Sequence, residues 1–293
     1  MTRLALVPAT LLLAFSPAFA QDAITIKLRK PADGDVLLVK KSDTSKTSFV
    51  VVDAAGTVLL DKKESKGRTY EFTETILKQE SDLRVSKAAR DYAKAQLVLD
   101  GKSKDGPLQG KSIVAEWKGD KYEFTYKSGE KVEGDAANDL TDQFKSQAEG
   151  SNKIELMMPK GPVKVGASWQ PDVAAIAGDL AKALGGAIDA GKSTAKGTLV
   201  KVHEKDKRKF GEMKFHMEFI VQTLGKGDGQ LTFAPGTKMV VEINLDACID
   251  GSAQVGVMRS KMSMSGNATL ATGQSAMIDI SAEGTNAQDV PRK

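Results

Sequence analysis

The chain is poor in the side chains that most often mark a functional site. It has one cysteine and two histidines in 293 residues. That excludes an intrachain disulfide framework and a Cys/His zinc site. Aromatic residues make up only 5% of the chain. The fourteen that follow residue 20 are few for the two interfacial girdles of an outer-membrane barrel. After residue 20 no run approaches the length of uncharged apolar sequence that a transmembrane helix needs. Neither sign of charge dominates. Without Arg3, 41 basic side chains face 38 acidic ones, which lacks the basic excess of a dedicated nucleic-acid binder. What is present, 41% apolar and 27% charged residues, is ordinary for a folded globular chain.

The first 20 residues have the layout of an export signal. Arg3 supplies a positive start, and Leu4 to Phe15 is apolar apart from Pro8 and Thr10. Ala18-Phe19-Ala20 is a small-x-small cleavage site, and Gln21-Asp22 opens a polar chain. Cleavage after Ala20 is expected, leaving 21–293 as one β-rich domain with a possible seam at 150–171. Gln21 stands where a lipoprotein would carry cysteine. The expected location is periplasmic or extracellular, with no transmembrane segment once the signal is removed. There Cys248 has no intrachain partner; it is either buried and inert or free to pair between molecules.

Most of the remaining chain reads as strands. Met239, Val241, Ile243, Leu245, Ala247 and Ile249 alternate with Glu242, Asn244, Asp246 and Asp250, so one face is dry and the other wet. Met213, Phe215, Met217, Phe219 and Val221 alternate in the same way with Lys214, His216, Glu218 and Gln222, as do Ala276, Ile278 and Ile280 with their neighbours. Between Ala253–Val257 and Met258–Met264 the apolar residues change phase, which predicts a bulge or bend. Val36–Val39, Phe49–Val52, Thr57–Leu60 and Tyr70–Ile76 read as short strands. Trp117 and Tyr122 flank a hairpin with Gly119 in its turn. Two helices interrupt the pattern. The first carries Ala137, Leu140, Phe144 and Ala148 at helical spacing. The second opens at Pro171-Asp172 and carries Val173, Ile176, Leu180, Leu184 and Ile188. The fold class is α+β, mainly β: a curved, half-barrel-like antiparallel sheet with two covering helices.

Catalytic templates fail one by one. Gly186 to Ser193 fits the phosphate-loop pattern, but a helix precedes it and a strand follows. A phosphate loop needs the reverse order, so a glycine-rich helix terminus is expected instead. There is no Gly-x-Ser-x-Gly elbow, and His203-Glu204 lacks a second histidine, because position 207 is Lys. His216, between Lys214 and Glu218, reads as solvated. Asp135, Asp139 and Asp142 share one helix face and read as a wet stripe. Lys201 to Lys209 reads as a charged hairpin tip. All nine methionines beyond the signal follow residue 156. Methionine is pliable core filler and also suits adaptable apolar pockets.

Leu108-Gln109-Gly110-Lys111, the Trp117/Tyr122/Phe124 hairpin and Pro162-Val-Lys-Val-Gly166-Ala-Ser-Trp169 resemble an uncharacterised family of secreted bacterial β-rich proteins over residues 24 to 280. That resemblance implies no catalytic residues. The order of elements is also similar to LolA/LppX-like envelope lipid carriers, which implies a curved sheet wrapped around helices and an apolar cavity.

The expected function is therefore a non-enzymatic binding module for an apolar or amphipathic ligand such as lipid. Trp169 would stand at the mouth of a pocket between Ile176, Leu180, Leu184 and the strand face Met213, Phe215, Met217, Phe219. No cofactor, metal or nucleic acid is expected. The alternative is a structural or interaction protein of the cell envelope with a filled core. The ligand, protein partners and oligomeric state are not written in the sequence.

Overall fold

The computed structural model describes residues 22–53, 55–80, 84–148 and 154–290. The expected signal peptide and part of the expected seam at 150–171 lie outside them. The elements run β1 (Val36–Val52), β2 (Val58–Gln79), β3 (Val85–Leu99), β4 (Lys102–Asp105), β5 (Ser112–Trp117), β6 (Tyr122–Tyr126), α1 (Gly134–Ala148), β7 (Ser168–Trp169), α2 (Val173–Leu184), β8 (Ala187–Lys205), β9 (Arg208–Leu224), β10 (Leu231–Phe233), β11 (Lys238–Cys248), β12 (Gly256–Leu270) and β13 (Ser275–Asp289). The fold is α+β, mainly β, with a curved antiparallel sheet that partly closes into a barrel and two helices.

The sheet is two meanders joined at their first and last strands. From β1 the chain steps outward through β2, β3, β5 and β6. It then crosses to the opposite edge and steps back from β7 through β8, β9, β11 and β12 to β13, which pairs with β1. β10 and β11 share the place between β9 and β12. Each meander holds its own helix and its own core. Tyr70, Phe72, Tyr92, Leu108, Ile113 and Phe124 enclose Leu140 and Phe144 of α1 in the first lobe. Met213, Phe215, Met217, Phe219, Met239 and Leu245 pack with Ala177 of α2 in the second. Cross-strand pairing puts both cores on one face. The row Met213–Leu245–Met258–Asn286 continues directly into Lys41 and Tyr70.

The strongest sequence signals hold. β11 and β9 occupy the expected residues. Asp206 and Lys207 adopt positive φ at the tip of the β8–β9 hairpin, the left-handed pair that a two-residue hairpin turn requires. Asp172 caps α2 by accepting from the Ala175 amide at 3.1 Å, and Gly185 ends it at φ 64°.

Several expectations are corrected. Ile188 does not extend the α2 stripe; it belongs to β8, opposite Val221. Only the start of the phosphate-loop look-alike is a helix terminus, where the Gly186 amide donates to the Ala181 carbonyl at 3.0 Å. Ala187 to Asp189 pair with β9, the register resumes at Thr194, and the residues between bulge out. The Ser193 hydroxyl, buried in that bulge, donates to the Asp189 carbonyl and accepts from the Ile220 amide. The phase change near residue 257 makes no bulge: β12 begins at Gly256 and pairs in unbroken register on both sides. The odd-numbered apolar residues before it lie in the preceding turn. The short strands expected in the first lobe are parts of two long ones, of 17 and 22 residues.

Candidate functional site: the apolar trough of the second lobe

The eight residues expected to form a pocket come together in one cluster. On β9, Met213, Phe215, Met217 and Phe219 are each no more than 2% exposed. On α2, Ile176, Leu180 and Leu184 pack on the same cluster but are only partly buried. Trp169 sits at the edge. Its indole N–H donates to the Met157 carbonyl at 2.7 Å, and its ring meets Phe215 edge-on. A side chain at Gly197 would begin 2.5 Å from that indole, so glycine there is a condition of the close approach. The Val-x-Val-Gly-x-Ser-Trp stretch has a visible task. Gly166 turns the chain at φ 81°, and the Gly166 amide and Ala167 carbonyl bond to Leu199, laying Trp169 over the β8 edge.

Burial of the inner face falls away along its middle rows, while Met264, Ala268, Ala276 and Ile278 stay buried at one end. In the row Met217–Val241–Met262–Ala282, Met217 is buried and the other three are half-buried. Ile243 on β11, Met258 on β12, Ile280 on β13 and Phe49 on β1 are half-buried too, all packed on the cluster rim. A twelve-residue helix spans only about 18 Å, too short to cover the inner face of so many strands. The partly covered apolar strip it leaves, with Met258 and Met262 on it, is the trough. Sequence reasoning named the fully packed end of this face and missed the trough itself, although Val241, Ile243, Met258 and Met262 were visible as apolar alternation.

The trough ends on charge. Beside Met258 and Ser260 the rows continue into Asn286, Lys41 and Asp43. Burial pushes the Asp43 carboxyl above the ordinary aspartate range, against the lowering effect of Lys41 and Arg68. Beyond lies the polar frame of α1. The Tyr70 phenol donates to Asp139 at 2.6 Å, and burial together with that bond holds the phenol protonated well above its usual range. Asp139 is therefore not part of a wet stripe: it is 7% exposed, facing Tyr70 and Arg68. Arg90 is fully buried between the rings of Phe72 and Phe144, with its Nε donating to Glu74 at 2.7 Å and Nη1 to Gln143 at 3.1 Å.

Cys248 is buried, its thiol donating to Asp250. Four donors, the Lys209 amide, the hydroxyl and amide of Ser252, and that thiol, hold the Asp250 carboxyl far below its usual range. Among the described residues, no group of three or more His, Cys, Asp or Glu could hold a metal ion, and no helix is long and apolar enough to cross a membrane.

No protein-family model and no curated protein matches the chain. Among solved structures it is similar to lipovitellin, solved in a study of its lipid–protein interactions. The two share 7% identity at a TM-score of 0.41, over 89% of this chain and 26% of that one. It is also similar to an outer-membrane channel from Pseudomonas putida F1, at 8% identity and a TM-score of 0.22, over 93% of this chain and 99% of the channel. The chain thus spans about a quarter of lipovitellin. At these scores neither likeness bears on function.

Proposed function

We propose that this is an exported, non-enzymatic binding module for an apolar or amphipathic ligand such as a lipid. The observation that carries the reading is the fall in burial from Met217 to Val241, Met262 and Ala282 along one row of the inner face. A filled core would bury such a row throughout, because exposing apolar surface costs about 25 cal/mol per Å². Methionines on the floor suit ligands of varied shape. Lys41, Asp43 and Asn286 at the end of the trough suit the polar end of an amphipathic molecule.

The experiment is native mass spectrometry of the protein recovered from the exported fraction. A bound hydrophobic small molecule, released when the protein is unfolded, is the expected result. Ligand-free protein that also fails to take up a fluorescent fatty acid would overturn the reading. The alternative, a structural or interaction protein of the envelope, draws on the dense packing around β9 and would then stand.

A further inference from the structure

The outer face of β8, β9 and β11 carries a second feature, unrelated to the trough. An open hollow of about 400 Å³ lies there, lined by Lys196, Thr198, Lys214, His216, Glu242 and Asn244. Register places these side chains in two rows: Lys196 pairs with His216, which pairs with Glu242, and Thr198 pairs with Lys214, which pairs with Asn244. The segment is held from behind, where Trp169 packs on Gly197.

The charges of this face are unevenly matched. Lys201 pairs with Glu212, Lys238 with Glu218, and Lys261 with Glu283. Glu242, the carboxylate of the hollow, lies 3.7 Å from His216. Glu212, Glu218 and Glu283 are thus engaged by lysines, and Glu242 offsets one of the two lysines of the hollow. Among the described residues, Lys196 and Lys214 make no ion pair, and neither does Arg259, which follows Lys214 and Asn244 in the same row. Two free ammonium groups aimed at one hollow favour an oxyanion there. Beside them stand a hydroxyl, an amide and a carboxylate, the groups that recognise sugar or glycerol hydroxyls. Phe215 and Ile243 also line the hollow, but Phe215 is buried and Ile243 half-buried, so its exposed wall is mainly polar.

We infer that this hollow binds a phosphate-bearing polyol, with Lys196 and Lys214 on the phosphate and Thr198, Asn244 and Glu242 on the hydroxyls. The phosphate could be that of a soluble sugar phosphate or of a glycerophospholipid head group; the chemistry is the same.

The test uses the mature protein at low ionic strength, because such contacts are screened by salt. Glucose 6-phosphate is titrated by calorimetry, with glucose as the neutral comparison, and vesicles containing phosphatidylglycerol are tested by co-sedimentation. Glucose 6-phosphate binding without sedimentation assigns the site to a soluble ligand; sedimentation assigns it to the head group. In either case K196A/K214A should weaken binding by about tenfold or more, as loss of two charge-assisted hydrogen bonds requires. K201A/K261A removes the same net charge from the same face but takes paired lysines, and should change binding less than about threefold. Equal losses in the two double variants would reduce the effect to general surface charge and overturn the site. So would the absence of binding to both probes, or glucose binding as well as its phosphate.

Discussion

The two lobes hold their helices by different physics. In the first, α1 is fixed by directional contacts: Arg90 lies between Phe72 and Phe144, Tyr70 bonds to Asp139, and Tyr92 bonds to Gln143 at 2.9 Å. All four tyrosines lie in this lobe, and no methionine does. In the second, α2 rests on methionine and aliphatic side chains, and of its own residues only Ala177 is fully buried. A buried polar network tolerates one arrangement, because each displaced partner leaves an unsatisfied group behind. An apolar contact between unbranched side chains tolerates many. The first lobe is built as a frame and the second as an adaptable surface, and the trough lies in the second.

The largest effect should come from breaking the frame. Arg90→Met leaves the Glu74 carboxyl without its partner in a dry core, and removing one partner of a buried pair typically costs about 3–5 kcal/mol. Urea unfolding should show that loss, and the double variant with Glu74→Met should recover most of it. A variant as stable as the parent would mean that the network is ornamental.

A smaller cost is expected on the other helix. The apolar stripe alone predicts that Leu180→Asp is severely destabilising. Leu180 proves only half-buried, so an aspartate can reach water, and about 1–3 kcal/mol is expected instead. A melting curve that loses its cooperative transition would show that α2 is as rigidly held as α1.

Much of the fold is written in alternation. β9 and β11 stand out because each has one dry face and one wet face. β3 does not, because its buried positions include Ala88, Ala89, Ala95, Ser86 and Arg90, so burial there comes without hydrophobicity. The centres of β1 and β2 were also illegible. Lys40 to Ser48 are polar on both faces, because this stretch crosses the gap between the two cores. Asp139 was misread for a related reason. An acidic stripe on a helix usually faces water, and the buried partner that reverses this, Tyr70, is 69 residues away. The pocket residues were legible as one cluster. The trough was not, since sequence shows which face is apolar but not how far a helix will cover it.

The smallest effect concerns the turn after β11 in the second lobe. Asp250 has a folded pKa below its unfolded value, so its contribution is present above the unfolded value near 4 and is lost as pH falls below it. Asp250→Asn should therefore lower stability near neutrality and flatten its acid dependence. Parallel pH–stability profiles for parent and variant would show that the turn depends on shape rather than on the carboxylate.

The contrast between frame and adaptable surface meets its most direct test on two methionines in one row of the second lobe. Met217 is 2% exposed, whereas Met262 is half-buried on the trough floor. Each is replaced by tryptophan, and thermal stability and uptake of a fluorescent fatty acid are measured together. Met217→Trp should overpack a full core and cost about 1–3 kcal/mol. Met262→Trp should occupy open space, leave stability equal or higher, and abolish uptake of the probe that the parent protein binds. Equal destabilisation by both substitutions, with no uptake by the parent, would contradict the account and leave a filled, ligand-free core.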